Sequence, residues 1–408
     1  MRGLSGVNKA VGYGSSMLLL ALASLAAIPA MIHASGDRAW GSIATGQAVG
    51  AVAAVVVAFG WQLSGPAEIA RGSAQSRRRS YVESLRLKGS LFVPVAGLAA
   101  AVAAVVAPSD PSFAAVGAVS FAALGLTANW VFVGLGRPFA MLGAETMPRV
   151  AGTVAGILLM LDGRDARVGL ACQLAGMLVA VGLSSTWVFR ATSPGAEPPF
   201  RALRVVVAEQ RHGLTTTVMS AVYVALPVMI VSLVAPATQP VFALVDKVQR
   251  QIAVAAGPMV TVLQGWVPNA GARVQAQRVR RAIQFALAGA VVATAGLVVV
   301  APWLYDRLSG GQIRVGTIPT VLAASFVGLA FLDNVMSKVV LSTVGRLDIA
   351  SRATMWGSVV GLPAVVVGAA VWGATGALFG VVLGLLLRVA LTWYGWTRHK
   401  PDGGEESA

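Results

Sequence analysis

The stretch RATSPGAEPPFRALRVVVAEQRH, residues 190–212, is the longest polar gap in a chain that otherwise consists of apolar runs. It combines charges of both signs with Pro194, Pro198 and Pro199, a composition that is typical of a linker between two folded parts. Six apolar runs precede this gap and six follow it. The gap therefore predicts two sets of six elements joined by a linker.

The apolar runs have the length and composition of membrane-spanning helices. At about 20 residues per crossing, a chain of 408 residues holds twelve helices with little left over. We place the helices at residues 11–33, 43–66, 89–107, 112–135, 148–162, 168–189, 213–234, 239–266, 282–304, 317–343, 354–373 and 376–396. The prediction is an all-α membrane protein with an N-terminal lobe at 1–190, a cytosolic linker at 191–212, a C-terminal lobe at 213–397 and a cytosolic tail at 398–408.

The overall composition supports a membrane protein. The chain is 56% hydrophobic and 12% charged, with a mean hydropathy of +0.75, whereas a soluble domain is about a quarter charged. The first run, near Tyr13 to Ala34, resembles a signal peptide, but it is long enough to span, and we expect it to be retained as the first helix.

The positions of the basic residues predict the orientation. With a cytosolic N-terminus, 22 of the 31 Lys and Arg residues, including Lys88 and Arg149, fall in inside gaps, five fall outside and four fall within helices. This bias predicts cytosolic N and C termini and a location in the cytoplasmic (inner) membrane. It also accounts for the net charge of +15 without a nucleic-acid partner.

A basic cluster and several glycine pairs have general membrane explanations. Glu68, Arg71 and the run Arg77–Arg79 lie where the second helix meets the cytosol, and we expect them to set topology and attract anionic membrane lipids. Glycines spaced by four residues, such as Gly46/Gly50 and Gly376/Gly380, predict close helix packing, with a gating hinge as the alternative.

Charges within predicted helices are the candidate functional groups, because a charge inside a membrane is costly and marks a cavity or a pathway. The eighth helix contains VFALVDKVQRQIAV, residues 241–254, in which Asp246 and Arg250 are four residues apart and can pair along one face. Lys247 is adjacent to Asp246, and Arg250 lies about 15 to 20 Å deep in the bilayer by helix geometry.

Two later helices add further embedded charges. The tenth carries Asp333 and Lys338, which is near enough to the cytosolic end to snorkel, and the twelfth carries Arg388 at about mid-depth. Four cations against two acids leave a surplus of about two positive charges, which a bound anion or water must compensate. The alternative is that these groups form internal salt bridges between helices eight, ten and twelve. The first lobe contains few embedded charges.

The sequence offers no catalytic, metal or cofactor site. His33, His212 and His399 are scattered at helix ends, and the single cysteine, Cys172, lies in an apolar run. The chain contains no nucleotide-binding loop either, so we expect no cofactor and no ATP hydrolysis by this chain.

Four segments together resemble the polysaccharide-flippase branch of the multidrug/oligosaccharidyl-lipid/polysaccharide (MOP) exporter superfamily. They are LAAIPAMIHASGDRAWGSIATG at 25–46, NWVFVGLGRP at 129–138, FALVDKVQRQIAVAAGPM at 242–259 and GRLDIASRATMWGSVVGLPAVVVGAAVWGATGALFG at 345–380. The resemblance implies two six-helix lobes around a cationic cavity. It also implies that Lys247 and Arg250, followed by Arg388 and Lys338, contact a lipid-linked saccharide that carries a pyrophosphate or an acidic sugar.

Three other functions stay open at this point. A cation-coupled drug exporter of the same superfamily would use embedded carboxylates, of which Asp246 and Asp333 are the clear ones. A membrane-embedded enzyme normally needs a large outer loop, and the outer gaps here are short, so we expect a protein that is not an enzyme. A scaffold bound to polysaccharide assembly proteins would tolerate the loss of every embedded charge.

Overall fold

The computed structural model describes residues 2–192, 203–267 and 272–398, and within these ranges the regular elements are all helical. The helices are α1 Arg2–Ala58, α2 Trp61–Arg71, α3 Ala74–Val106, α4 Pro111–Ala122, α5 Asn129–Leu135, α6 Pro138–Met141, α7 Met147–Leu161, α8 Ala166–Ala191, α9 Leu203–Val234, α10 Gln239–Ala255, α11 Gly257–Trp266, α12 Ala272–Ser309, α13 Thr317–Val335 and α14 Leu347–Arg398. The predicted all-α fold class is confirmed.

Twelve bilayer crossings fit these helices. Nine helical stretches of described residues are long and apolar enough to span a membrane. The first contains two crossings because α1 is broken at Gly36, and the last contains two because α14 is broken at Trp372 and Gly373. The remaining crossing consists of α10 and α11. It is not among the nine stretches, because α10 is 17 residues long and contains charged residues.

The breaks in the two long helices follow from glycine. Gly36 has φ 84° and Gly373 has φ 58°, in the left-handed region where a side chain is disfavoured. Each break divides one long stretch into two helical segments, and each segment is long enough for one crossing.

Two helices, α4 and α8, are each preceded by an aspartate that caps the N-terminus. The Asp110 carboxylate accepts from the Ser112 N–H at 2.8 Å at the start of α4, and the Asp165 carboxylate accepts from the Arg167 N–H at 2.8 Å at the start of α8. Such caps satisfy backbone donors that the first helical turn leaves without partners.

The chain forms two compact units. The first contains Met1–Ala243 and the segment Asp306–Ile313, and the second contains Leu244–Tyr305 and Arg314–Ala408. In the first, α9 packs on α1 and α3, and Ser232 Oγ donates to the Val106 carbonyl at 2.6 Å. In the second, apolar side chains from α11 to α14 share one core. Residues 193–202 and 399–408 lie outside the described residues, so the predicted linker, tail and lobe boundaries stay predictions.

Glycine pairs bring helices together within each unit. A Cβ at Gly46 would overlap the carbonyl oxygen of Ala114 in α4, and a Cβ at Gly376 would overlap that of Gly368 in the other half of α14. The predicted packing role of these glycine pairs is confirmed, because only glycine lets the backbones approach so closely.

The basic run Arg77–Arg79 binds neighbouring helix ends. Arg77 Nε donates to the Ile69 carbonyl in the last turn of α2 at 2.9 Å, and Arg78 Nη1 donates to the Thr192 carbonyl after α8 at 3.3 Å. Both carbonyls lie at helix ends, where α-helical backbone acceptors have no partner within the helix. The run therefore joins α2, α3 and α8 in the first unit, while its attraction for anionic lipids stays a prediction.

Candidate functional site

The charged stretch of α10 forms the first group of the predicted site. Asp246 is buried, and one of its oxygens accepts from Arg250 Nε at 2.7 Å while the other accepts from Gln249 Nε2 at 3.1 Å. The predicted pairing of Asp246 with Arg250 along one helix face is confirmed. Lys247 is half-buried on the next position of the same helix.

A second ion pair joins α13 to the last half of α14. Arg388 Nε lies 2.9 Å from Asp333 Oδ1, and Asp333 is buried while α13 and α14 pack along their length. The sequence predicts both residues as embedded charges, but it does not identify them as partners. A salt bridge between two helices is what the alternative interpretation of the embedded charges predicts.

Lys338 differs from the other three cations because it is exposed. It lies in a π-helical turn, Met336–Leu341, that continues α13, and its carbonyl accepts from Gln264 Nε2 of α11 at 3.3 Å. A long side chain in this position agrees with the predicted snorkelling towards the membrane surface.

These six residues, Asp246, Lys247, Arg250, Asp333, Lys338 and Arg388, carry a net formal charge of plus two in the second unit. The two arginines are each still 29% exposed although each contacts an acid through Nε. A guanidinium has five N–H donors in a planar arrangement, which is the geometry that suits carboxylate and phosphate oxygens. Arginine and lysine side chains of this kind are chemically suited to bind the oxygens of an anion.

The first unit contains a buried charge cluster that the sequence analysis misses. Lys88 in α3 is 1% exposed, and Glu145, in a π-helical turn before α7, is 2% exposed. Arg149 Nη1 lies 3.7 Å from Glu145 Oε1. The prediction that the first lobe holds few embedded charges is wrong. The spacing of four residues between Glu145 and Arg149 is the one signal that could have revealed part of the cluster.

The backbone contacts of this cluster explain its burial. Lys88 Nζ donates to the Thr127 carbonyl at 2.8 Å and lies 5.8 Å from the centre of the Trp130 ring. Glu145 Oε2 accepts from the Ala128 N–H at 3.1 Å. Gln62 Nε2 donates to Thr127 Oγ1 at 2.7 Å. These contacts lie at a gap between helical segments, where backbone groups need partners from other helices.

Solved structures with a similar fold include membrane transporters. The inward-facing conformation of a multidrug resistance MATE family transporter of the MOP superfamily gives a TM-score of 0.70 at 15% identity, covering 95% of this chain and 98% of the other. The inward closed conformation of the lipid II flippase MurJ gives 0.60 at 10% identity, covering 96% and 87%. A MOP superfamily transporter from Pyrococcus furiosus, described as having a binding pocket of reversed polarity, gives 0.53 at 14% identity, covering 97% and 95%. The chain has the fold of a MOP-superfamily transporter.

The MOP fold confirms the predicted resemblance at the level of architecture. No family model and no curated protein sequence matches the chain. At identities of 10 to 15%, the structural similarity shows the fold alone. What those transporters carry is a property of those proteins. Among the described residues, no group of three or more His, Cys, Asp or Glu side chains could hold a metal ion.

Proposed function

We propose that this protein is a transporter that moves an anionic, lipid-linked saccharide across the cytoplasmic membrane. The MOP fold supports a transport function, since the similar structures include both multidrug transporters and a lipid II flippase. The observation that carries the proposal is the charge of the six candidate residues in the second unit, in which four cations accompany two buried acids. An excess of cations within membrane helices favours an anionic ligand, because hydrocarbon offers no counter-charge and water is the other source of compensation.

The residues have different roles in this proposal. Lys247 and Arg250 make the first contacts with the substrate anion, and Lys338 and Arg388 make the second. Asp246 and Asp333 each contact a guanidinium group through its Nε atom, and the planar guanidinium suits phosphate or carboxylate oxygens as further acceptors. These acids are therefore positioning residues.

The charge balance also suggests why a pyrophosphate suits this site. A diphosphate diester carries about two negative charges at neutral pH, which offsets the net formal charge of the six residues. With the substrate bound, these six residues and the diphosphate together carry little net charge. Little net charge therefore moves when the access of the site changes from one side of the membrane to the other. Alternating access of this kind is used by many transporters built from two helical halves.

The substitution Lys247→Gln tests the anion contact. The full chain is reconstituted in vesicles that contain a diphospho-polyprenol carrying a fluorescent sugar, and its transfer between leaflets is followed with a membrane-impermeant quencher. Loss of one charged hydrogen bond to phosphate corresponds to about 1.5 to 3 kcal/mol, so the initial rate should fall by about tenfold or more.

Two controls accompany this measurement. Lys247→Arg keeps the charge and should keep most of the rate, and Arg164→Gln removes an exposed cation outside the site and should change nothing. Equal rates for Lys247→Gln and the unaltered protein, at equal reconstitution, would contradict the proposed contact.

A cation-coupled drug exporter is the second candidate, because the similar structures include a multidrug resistance MATE family transporter with a TM-score of 0.70. In that case, the same vesicles should transport a cationic dye, and Asp333→Asn should stop this transport while Lys247→Gln leaves it unchanged. A scaffold that binds polysaccharide assembly proteins would move neither probe. The association with such proteins stays a prediction from the sequence.

A further inference from the structure

The second and fourth crossings of the first unit are both broken. The second crossing consists of the later part of α1 followed by α2, and between them Phe59 has φ 47° and Gly60 has φ 82°. In the fourth crossing, a 3-10 turn follows α4, and the chain leaves helical geometry at Thr127, where φ is −52° and ψ is 145°, before α5 begins. A left-handed backbone at a bulky residue and a 3-10 turn within a helix both commonly mark hinges.

The two crossings run in the same direction and stay in contact on both sides of the breaks. Before the breaks, a Cβ on Gly125 would overlap the carbonyl oxygen of Ala54. After them, a Cβ on Gly65 would overlap the ring of Trp130, so α2 and α5 also approach closely. The breaks therefore lie side by side. The two helices beyond them, here called the α2–α5 pair, can turn as one body without losing their contacts with each other.

Side chains from outside the pair hold the break of the fourth crossing in its geometry. The Val131 N–H bonds to the Ala128 carbonyl, so the Thr127 carbonyl lacks its usual helical donor. Lys88 Nζ of α3 donates to this carbonyl at 2.8 Å, and Glu145 Oε2 accepts from the Ala128 N–H at 3.1 Å. Because both side chains are buried, the backbone groups of the break depend on neighbouring helices for their hydrogen bonds.

The break of the second crossing is joined to the same place. Gln62 Nε2, in the first turn of α2, donates to Thr127 Oγ1 at 2.7 Å, and the rings of Trp61 and Trp130 lie 5.0 Å apart. Lys88 Nζ lies 5.8 Å from the centre of the Trp130 ring, a distance at which an ammonium is attracted to the ring. Lys88 therefore contacts both the break of the fourth crossing and the aromatic contact between α2 and α5.

We propose that Phe59–Gly60 and Thr127–Ala128 form a double hinge about which the α2–α5 pair turns as one body, and that Lys88 holds the pair in its present position. The helices α3 and α8 are unbroken at this level, and Tyr81 of α3 and Val188 of α8 share an apolar core with the pair. These two helices form the surface along which the pair slides. This inference does not depend on the substrate proposed above.

The test measures distances between two spin labels at a time in the full chain, in lipid nanodiscs and on a Cys172→Ala background. The label positions are exposed: Ala70 near the end of α2, Arg137 directly after α5, and Arg190 near the end of α8 as the reference. Ala70 and Arg137 each lie about ten residues beyond a break, or about 15 Å along a helix, so a turn of about 10° moves each label by about 2 to 3 Å.

Lys88→Met keeps an unbranched side chain but cannot donate to the backbone of the break, so it should release the pair. The mean distances from Arg190 to Ala70 and from Arg190 to Arg137 should then both change by about 2 to 3 Å. The distance between Ala70 and Arg137 should stay the same. Arg164→Met, which removes an exposed cation of the same unit away from the breaks, is the matched control and should change none of the three distances.

Three unchanged distances in Lys88→Met would overturn the inference. A change in only one of the distances from Arg190, or in the distance between Ala70 and Arg137, would also overturn it, because α2 and α5 would then move separately. If Lys88→Met does not accumulate, Gln62→Leu decides, since this exposed side chain provides the bond that joins the two breaks. It should change the same two distances, and three unchanged distances would again contradict the double hinge. None of these distances measures transport, so failure here leaves the proposed function untouched.

Discussion

The buried charges of this protein are held by specific partners, and how far each partner could be predicted depends on its distance along the chain. The contact between Asp246 and Arg250 follows from a spacing of four residues in one helix. The contact between Asp333 and Arg388 depends on the rotation of two helices about their axes, which the hydrophobic pattern does not specify. For the same reason the sequence did not reveal Lys88 as a partner of the Thr127 carbonyl.

The pair between Asp333 and Arg388 predicts an asymmetric mutational response. Asp333→Ala should destabilise the protein by about 3 kcal/mol, because it leaves Arg388 without its carboxylate in a largely buried place. The double variant Asp333→Leu/Arg388→Met should recover most of that loss, since it removes both charges and retains volume. SDS-induced unfolding in mixed micelles measures both. A double variant that is less stable than Asp333→Ala would contradict this account.

At helix ends and breaks, the hydrophobic pattern no longer predicts the secondary structure. The twelve apolar runs predicted the crossings well, because membrane helices must be long and apolar. The break at Thr127 is missed because hydrophobicity hardly changes there, and the π-helical turn Leu142–Thr146 falls in a gap between two predicted helices. Both irregular segments depend on partners from other helices, such as Glu145 at Ala128, and these partners become visible only in three dimensions.

The cap of α8 predicts a pH-dependent contribution to stability. The Arg167 side chain donates to Asp165 at 2.9 Å and holds the pKa of that carboxyl below its usual value. Asp165→Ala should destabilise by about 1 kcal/mol at pH 7. Because the folded-state pKa is lowered, the contribution is complete above the unfolded pKa of about 3.9 and is lost as the pH falls through the folded value.

The measurement is thermal unfolding of both proteins in detergent between pH 7 and pH 2.5. The difference between them should shrink towards zero at the acid end. Asp162→Ala, an exposed acid in the same loop, is the matched control and should have little effect at any pH. A difference that grows as the pH falls would contradict the capping role.

For the whole molecule, the predicted orientation can be checked with one added cysteine at a time. Cys172→Ala removes the single native thiol while keeping the Cβ beside Gly156, and it should be tolerated. On this background Arg164→Cys, in an outer loop, should react with an impermeant maleimide in intact cells. Gln75→Cys, in the first turn of α3 on the predicted inner side, should react only after permeabilisation. The reverse pattern would overturn the topology derived from the basic residues.

The charged stretch of α10 also has a consequence for biogenesis. A charged residue near the middle of a segment adds about 2.5 to 3.5 kcal/mol to the free energy of partitioning from the translocon into lipid, and Asp246, Lys247 and Arg250 all lie within the 17 residues of this helix. Such a segment cannot partition alone. We expect it to stay in the translocon, or at its lateral gate, until later crossings of the nascent chain pack against it. The ribosome then synthesises much of the second half before α10 enters the bilayer.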